Sequence, residues 1–158
     1  MKIRELPIPN TIKNILEKHG IIELYPPQIQ AIKSGVLNGK SIVLAIPTAA
    51  GKTLIAELAI TKRLIENGGK ALYLTPLKAL ASEKYEEFKK YEEAGLKVAI
   101  STGDYDNPEP WLKQYDIIVM TNEKADSILR NKPSWINDIN IVVADEIHLI
   151  NDQERGPT

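Results

Sequence analysis

Two short stretches of this chain carry residue types that together could run metal-dependent phosphate chemistry. The first is Ile46-Pro47-Thr48-Ala49-Ala50-Gly51-Lys52-Thr53, which follows an apolar run and opens a helical pattern. A strand that turns abruptly into a helix aims successive backbone N–H groups at one point, where a phosphate accepts them beside the positive end of the helix dipole. Gly51 permits close backbone approach, Lys52 sets a point charge on the outer phosphates, and the Thr53 hydroxyl can ligate Mg²⁺. The second stretch is Asp145-Glu146-Ile147-His148, again after an apolar run. Asp145 is expected to emerge at the carboxyl end of its strand and hold Mg²⁺ directly or through water, with Glu146 placed to orient or deprotonate an attacking water. Transfer of a γ-phosphoryl group needs positioning, metal and positive charge more than covalent help, so two adjacent acids with different tasks suit it. His148 reads either as an ordinary half-buried histidine or as a link from the nucleotide site to a neighbouring domain.

The elements that must position these groups alternate along the chain. Apolar runs at 41–46, 71–75, 97–101, 117–120 and 139–144 read as strands. Helical spacing predicts helices at 28–38, at 52–67 with Leu54, Ile55, Leu58 and Ile65 inward, from 77 to about 95, and at 122–131. Near the start, Asn10 is placed to cap a helix carrying Ile12, Ile15 and Leu16 that ends near Gly20. Regular alternation of strand and helix implies a parallel sheet covered on both faces. The Asp-, Asn- and Pro-rich segment 102–110 reads as a surface loop. No internal repeat or interdomain linker is visible.

Size and composition narrow the possibilities. A chain of 158 residues buries roughly 70% of the surface that its unfolded form exposes, enough for one core. The formal net charge is −1, so a nucleic-acid partner would have to be attracted by a local arrangement of charge. There is no cysteine and only His19 and His148 as histidines, which argues against disulfides and a zinc centre. The first residues hold no signal-like core and no apolar run approaches membrane-spanning length. These features lead to the expectation of a soluble, intracellular protein.

Asp145-Glu146-Ile147-His148 is a DExH box, and with residues 46–53 it resembles the first motor domain of superfamily-two helicases. The resemblance covers essentially the whole chain. Its nearest flavour is the Ski-like branch, in particular the archaeal Hjm-type DNA helicases. It implies a RecA-like P-loop domain of α/β class, with residues 1–40 as a helical lead-in and 41–158 as a core truncated after the DExH box. Tyr25-Pro26-Pro27-Gln28 is similar to the Q motif, which implies that Gln28 hydrogen-bonds the adenine edge and selects ATP. Pro76-Leu77-Lys78-Ala79-Leu80 resembles motif Ia, and Thr102-Gly103-Asp104 with Thr121-Asn122-Glu123-Lys124 resembles the next two nucleic-acid motifs. Ser134-Trp135 and the ending Glu154-Arg155-Gly156-Pro157-Thr158 also look like that group. Departures from the usual cradle pattern are Ile46, where glycine or alanine normally opens it, and Ala49-Ala50, where glycine or serine is common; Lys52 and Thr53 remain.

The nucleic-acid reading also has a physical basis. Pro76 and Asn122 are expected just after strands and at helix starts, where N–H groups meet backbone phosphates, and the Thr102 and Thr121 hydroxyls could add hydrogen bonds. Such contacts position a strand without reading bases. The resemblance implies an ATP- and Mg²⁺-dependent 3′ to 5′ helicase acting on single-stranded or branched DNA at stalled forks, in repair and recombination. It further implies a Ser-Ala-Thr strand and a second, arginine-bearing motor domain after this sequence. The chain is therefore expected to be a fragment, or one piece of a cleaved protein, with little hydrolysis and no unwinding of its own. An RNA helicase of the same branch and a non-hydrolytic nucleotide-sensing scaffold stand as alternatives. Glu146 argues against the scaffold, since a sensor needs no water-activating acid. Gln28 and the paired acids argue against a P-loop kinase.

Overall fold

The computed structural model describes residues 1–45, 51–103 and 109–145, in two compact units, Met1–Gly68 and Gly69–Thr158. Residues 46–50, Asp104, Glu146, His148 and the 154–158 ending lie outside the described residues.

In the first unit, Ile12, Ile15 and Leu16 recur at helical spacing and form the buried stripe of α1 (Asn10–Lys18). Asn10 is not its cap. Pro9 occupies that position and makes no side-chain capping bond, so Asn10 is the first helical residue. Helix α2 (Pro26–Lys33) begins on two prolines, which suit a first turn because its N–H groups have no helical acceptor. It ends five residues before the expected boundary at Asn38. Gly35, at φ +98°, breaks the helix, and Val36–Asn38 continues only as a 3₁₀ turn. The long helix α3 (Lys52–Asn67) stops where Gly68, at φ +72°, donates its N–H to the Leu64 carbonyl. Leu54, Ile55 and Leu58 are buried in it as expected, but Leu64 rather than Ile65 faces inward.

The strand expected at 41–46 is absent over its described part, since residues 41–45 adopt no regular structure and Val43 is 86% exposed. The physical reason is that a strand's hydrogen bonds are all made to another segment, so an apolar run becomes a strand only when a neighbour supplies the ladder. Helices, whose bonds are internal, do not share this dependence.

The second unit is a parallel four-stranded sheet among the described residues: β1 (Lys70–Thr75), β2 (Val98–Ser101), β3 (Ile117–Thr121) and β4 (Ile139–Ala144), in the order β2-β3-β1-β4. Alternation sends Leu72 and Tyr73 to opposite faces. On the Leu72 side, Ile118, Met120, Ala99, Leu112 and Trp135 pack with Ala125 and Ile128 of α5 (Asn122–Arg130). On the other side, Tyr73 meets Phe88 edge-on at 5.3 Å, at the end of α4 (Lys78–Phe88), and Tyr91 of the 3₁₀ turn Lys89–Ala94 lies against Phe88 in a tilted pair at 6.2 Å. Both faces are thus covered, as a parallel sheet requires. At the amino end of β1 the buried Lys70 ammonium donates to the Lys113 and Tyr115 carbonyls. Burial pushes its pKa down, and Asp116 and Asp138 partly counter that. Among the described residues no helix is long and apolar enough to cross a membrane.

Candidate nucleotide and nucleic-acid site

In the first unit the sequence brings Gln28 and Gly51 together across 23 positions. The Gln28 amide oxygen accepts the Tyr25 N–H at 2.7 Å, and its nitrogen donates to the Gly51 carbonyl at 2.9 Å. Gln28 is 2% exposed, so its side chain is a buried strut between the start of α2 and the residue before α3. This bridge was not anticipated from the sequence, which treated the two residues as separate ligand contacts. Gly51 adopts φ +74° immediately before Lys52, the first residue of α3, and Lys52 and Thr53 are half-buried in its first turn.

A Cβ at position 51 would run into the Gln28 amide nitrogen, and the left-handed backbone would be strained by any side chain. Gly51→Ala is therefore expected to destabilise the unit by about 2–3 kcal/mol, combining backbone strain with the lost strut. A shift of the urea midpoint with an unchanged slope would register it; an unchanged midpoint would contradict the geometry.

In the second unit, four parallel strands end on one rim. Ser101 pairs with Met120, Thr75 with Thr121 and Leu74 with Ala144. The residues that follow, Thr102, Asn122, Pro76 and Asp145, consequently stand in a row roughly 14 Å long at the usual interstrand spacing. Ligands of open α/β sheets bind at such carboxyl ends.

Asp145 continues the ladder one residue past β4, its N–H donating to the Leu74 carbonyl at 2.9 Å. Asp145 is 9% exposed, and its Oδ2 accepts the Tyr73 hydroxyl at 2.7 Å. Tyr73 was read only as a strand residue; its hydroxyl shares a face with Asp145 because the two strands are in register. Tyr73→Phe removes this bond without changing volume and is expected to cost about 1–2 kcal/mol in chemical denaturation.

The nucleic-acid candidates divide. Asn122 is the first residue of α5, as expected. Pro76 is not a helix start: α4 begins at Lys78 after an extended Leu77, because Thr75 Oγ1 donates to the Leu77 carbonyl and holds the turn open. The N–H groups left without helical acceptors belong to Lys78 and the two residues after it, and Lys78 itself is exposed. Thr121 is buried and its hydroxyl oxygen accepts the Lys124 N–H at 3.3 Å, so it caps its own helix. Thr102 is half-buried and Gly103 exposed. Glu109, within the segment read as a surface loop, is half-buried and forms an ion pair at 2.8 Å with a fully buried Lys124.

A doubly covered parallel sheet with its polar residues gathered on the carboxyl rim defines the open α/β class that binds ligands along that edge. The model of the DEAD/DEAH box helicase family matches residues 25–158, and the chain belongs to that family. It is 60% identical over its full length to the ATP-dependent DNA helicase Hel308 of Thermococcus kodakarensis, of which it spans 14%. It is 59% identical to Hel308 of Pyrococcus horikoshii, of which it spans 22%. Among solved structures it resembles the DUF1998 helicase MrfA bound to DNA and AMPPNP, with TM-score 0.74 and 34% identity over 90% of this chain and 21% of that one. A second crystal structure of the helicase MrfA gives TM-score 0.74 at 33% identity over 90% of this chain and 24% of that one. The fold is accordingly that of a RecA-like helicase domain.

Proposed function

We propose that the chain is the N-terminal part of the first motor domain of an ATP-dependent DNA helicase, with residues 1–40 as lead-in and 41–158 as RecA-like core. The observation that supports this most directly is the row of Thr102, Asn122, Pro76 and Asp145 on one sheet rim, in a chain whose Hel308 relatives are described as ATP-dependent DNA helicases.

ATP is the substrate in this reading. Residues 46–53 cradle its phosphates, Lys52 carries the charge toward the outer ones, and Gln28, which braces Gly51 in this structure, is the residue assigned to the adenine edge on its likeness to the Q motif. The donor set suits Mg²⁺: a threonine hydroxyl, Thr53, and a carboxylate, Asp145, are hard oxygen ligands, and Tyr73 fixes the latter's orientation. Bound there, Mg²⁺ would neutralise charge on the phosphate oxygens. Glu146 orients the attacking water and takes its proton. Thr102, Gly103, Asn122, Pro76 and Lys78 contact the backbone of single-stranded or branched DNA without reading sequence, and His148 couples the nucleotide site to a neighbouring domain. The longer protein would unwind forked DNA in the 3′ to 5′ direction in repair and recombination, in the cytoplasm near the nucleoid.

Unwinding assays with matched DNA and RNA forks, using the full-length protein and ATP, test the assignment. Preferential DNA unwinding is expected; a clear RNA preference would overturn the substrate. Under this reading Tyr73→Phe also raises the Mg²⁺ concentration needed for half-maximal hydrolysis by roughly tenfold, as loss of a ligand-orienting bond does elsewhere. An unchanged Mg²⁺ requirement would remove Tyr73 from that role.

A further inference from the structure

Lys124 is fully enclosed, yet it carries an ammonium group. Its Nζ lies 2.8 Å from Glu109 Oε1, and both Glu109 oxygens accept the Ser101 hydroxyl at 3.0 Å. Its backbone N–H donates to Thr121 Oγ1 at 3.3 Å. Lys124 thus joins the first turn of α5 through its backbone and, through its side chain and Glu109, reaches the end of β2. Ser101 is the last residue of β2 in the ladder, so no sheet bonds hold Thr102 and Gly103 beyond it.

We propose that Lys124, Glu109 and Ser101 form a buried latch that sets the position of Thr102 and Gly103 against Thr121 and Asn122, and so aligns two parts of the phosphate-contacting rim. The inference rests on the nucleic-acid reading given above. Stability alone is a poor reason for such a pair, because a well-packed apolar substitute is often as stable or more so. What an ion pair with a shared hydroxyl adds is direction: it fixes where the chain leaving β2 lies relative to α5. All three are positioning residues and touch no phosphate.

The full-length protein separates positioning from bulk stability. Lys124→Met keeps most of the volume while cutting the latch from α5, and it leaves Glu109, 15% exposed, access to water. Expected is a roughly tenfold rise in the single-stranded DNA concentration that half-maximally stimulates ATP hydrolysis, with the KM for ATP unchanged. The dependence of log affinity on log salt should keep its slope, because no phosphate contact is removed. Ser101→Ala, a milder cut, is expected to give a two- to threefold rise on the same readout, roughly, and it carries the test if Lys124→Met fails to fold. Unchanged DNA dependence in a folded Lys124→Met or in Ser101→Ala would overturn the latch. An equal weakening of ATP binding would reduce the pair to a structural role, and a salt slope shallower by about one would make Lys124 a direct phosphate contact. If the parent protein shows no stimulation by DNA, the functional reading itself falls.

Discussion

Lys52→Ala in the full-length protein is expected to lower ATP hydrolysis by about 10²–10³-fold, the range seen when one preorganised charge or donor is removed from a reacting oxyanion. The residue is the first of a 16-residue helix, directly after the left-handed Gly51, so its position is fixed by backbone geometry rather than by a flexible loop. The helix dipole and the N–H groups of the first turn survive the substitution, and residual phosphate affinity should persist for that reason. Lys52→Arg should not rescue, because a planar fork cannot replace a compact ammonium at one point. Steady-state phosphate release with and without DNA is the measurement. DNA binding in the absence of nucleotide serves as the control and should be unaffected. A rate within twofold of the parent would remove Lys52 from the phosphate site.

Glu146→Gln tests the other half of the chemistry. The substitution keeps size and hydrogen-bonding capacity while removing the base, so ATP should bind as before and turnover should fall by about 10²–10⁴-fold, the usual worth of a positioned proton acceptor. Fluorescence titration with a nucleotide analogue and single-turnover hydrolysis separate the two quantities. Loss of binding together with loss of turnover would point to a structural role; undiminished turnover would reject the water-activating assignment. The contrast with Lys52→Ala is informative, since one variant is expected to weaken both binding and rate and the other rate alone.

Helices were the most legible elements of this chain. Those carrying Ile12, Ile15 and Leu16, Leu54 and Leu58, and Ala125 and Ile128 lie where apolar spacing puts them, and their errors are confined to ends. Asn10 lost its capping role to Pro9, and α2 stopped before Gly35. The four strands of the sheet were legible as well, whereas 41–45 was not, because its apolar character matches theirs and only the presence of a neighbour distinguishes them.

Among the candidate site residues, residue types and order along the chain marked Gly51, Lys52, Thr53 and Asp145 as the chemically useful groups. Such marks are readable without a structure because they rest on the acid–base and ligand chemistry that a side chain carries anywhere. Three partnerships were out of reach of the sequence: Gln28 with Gly51, Tyr73 with Asp145, and Lys124 with Glu109 and Ser101. Each joins residues from separate segments through a hydrogen bond whose existence depends on register or packing to within an ångström. The sequence by itself determined which chemistry this chain can offer and on which kinds of element. Only the tertiary structure decided which polar groups are already committed to one another, because burial makes every donor and acceptor find a partner and the fold alone determines which one is near.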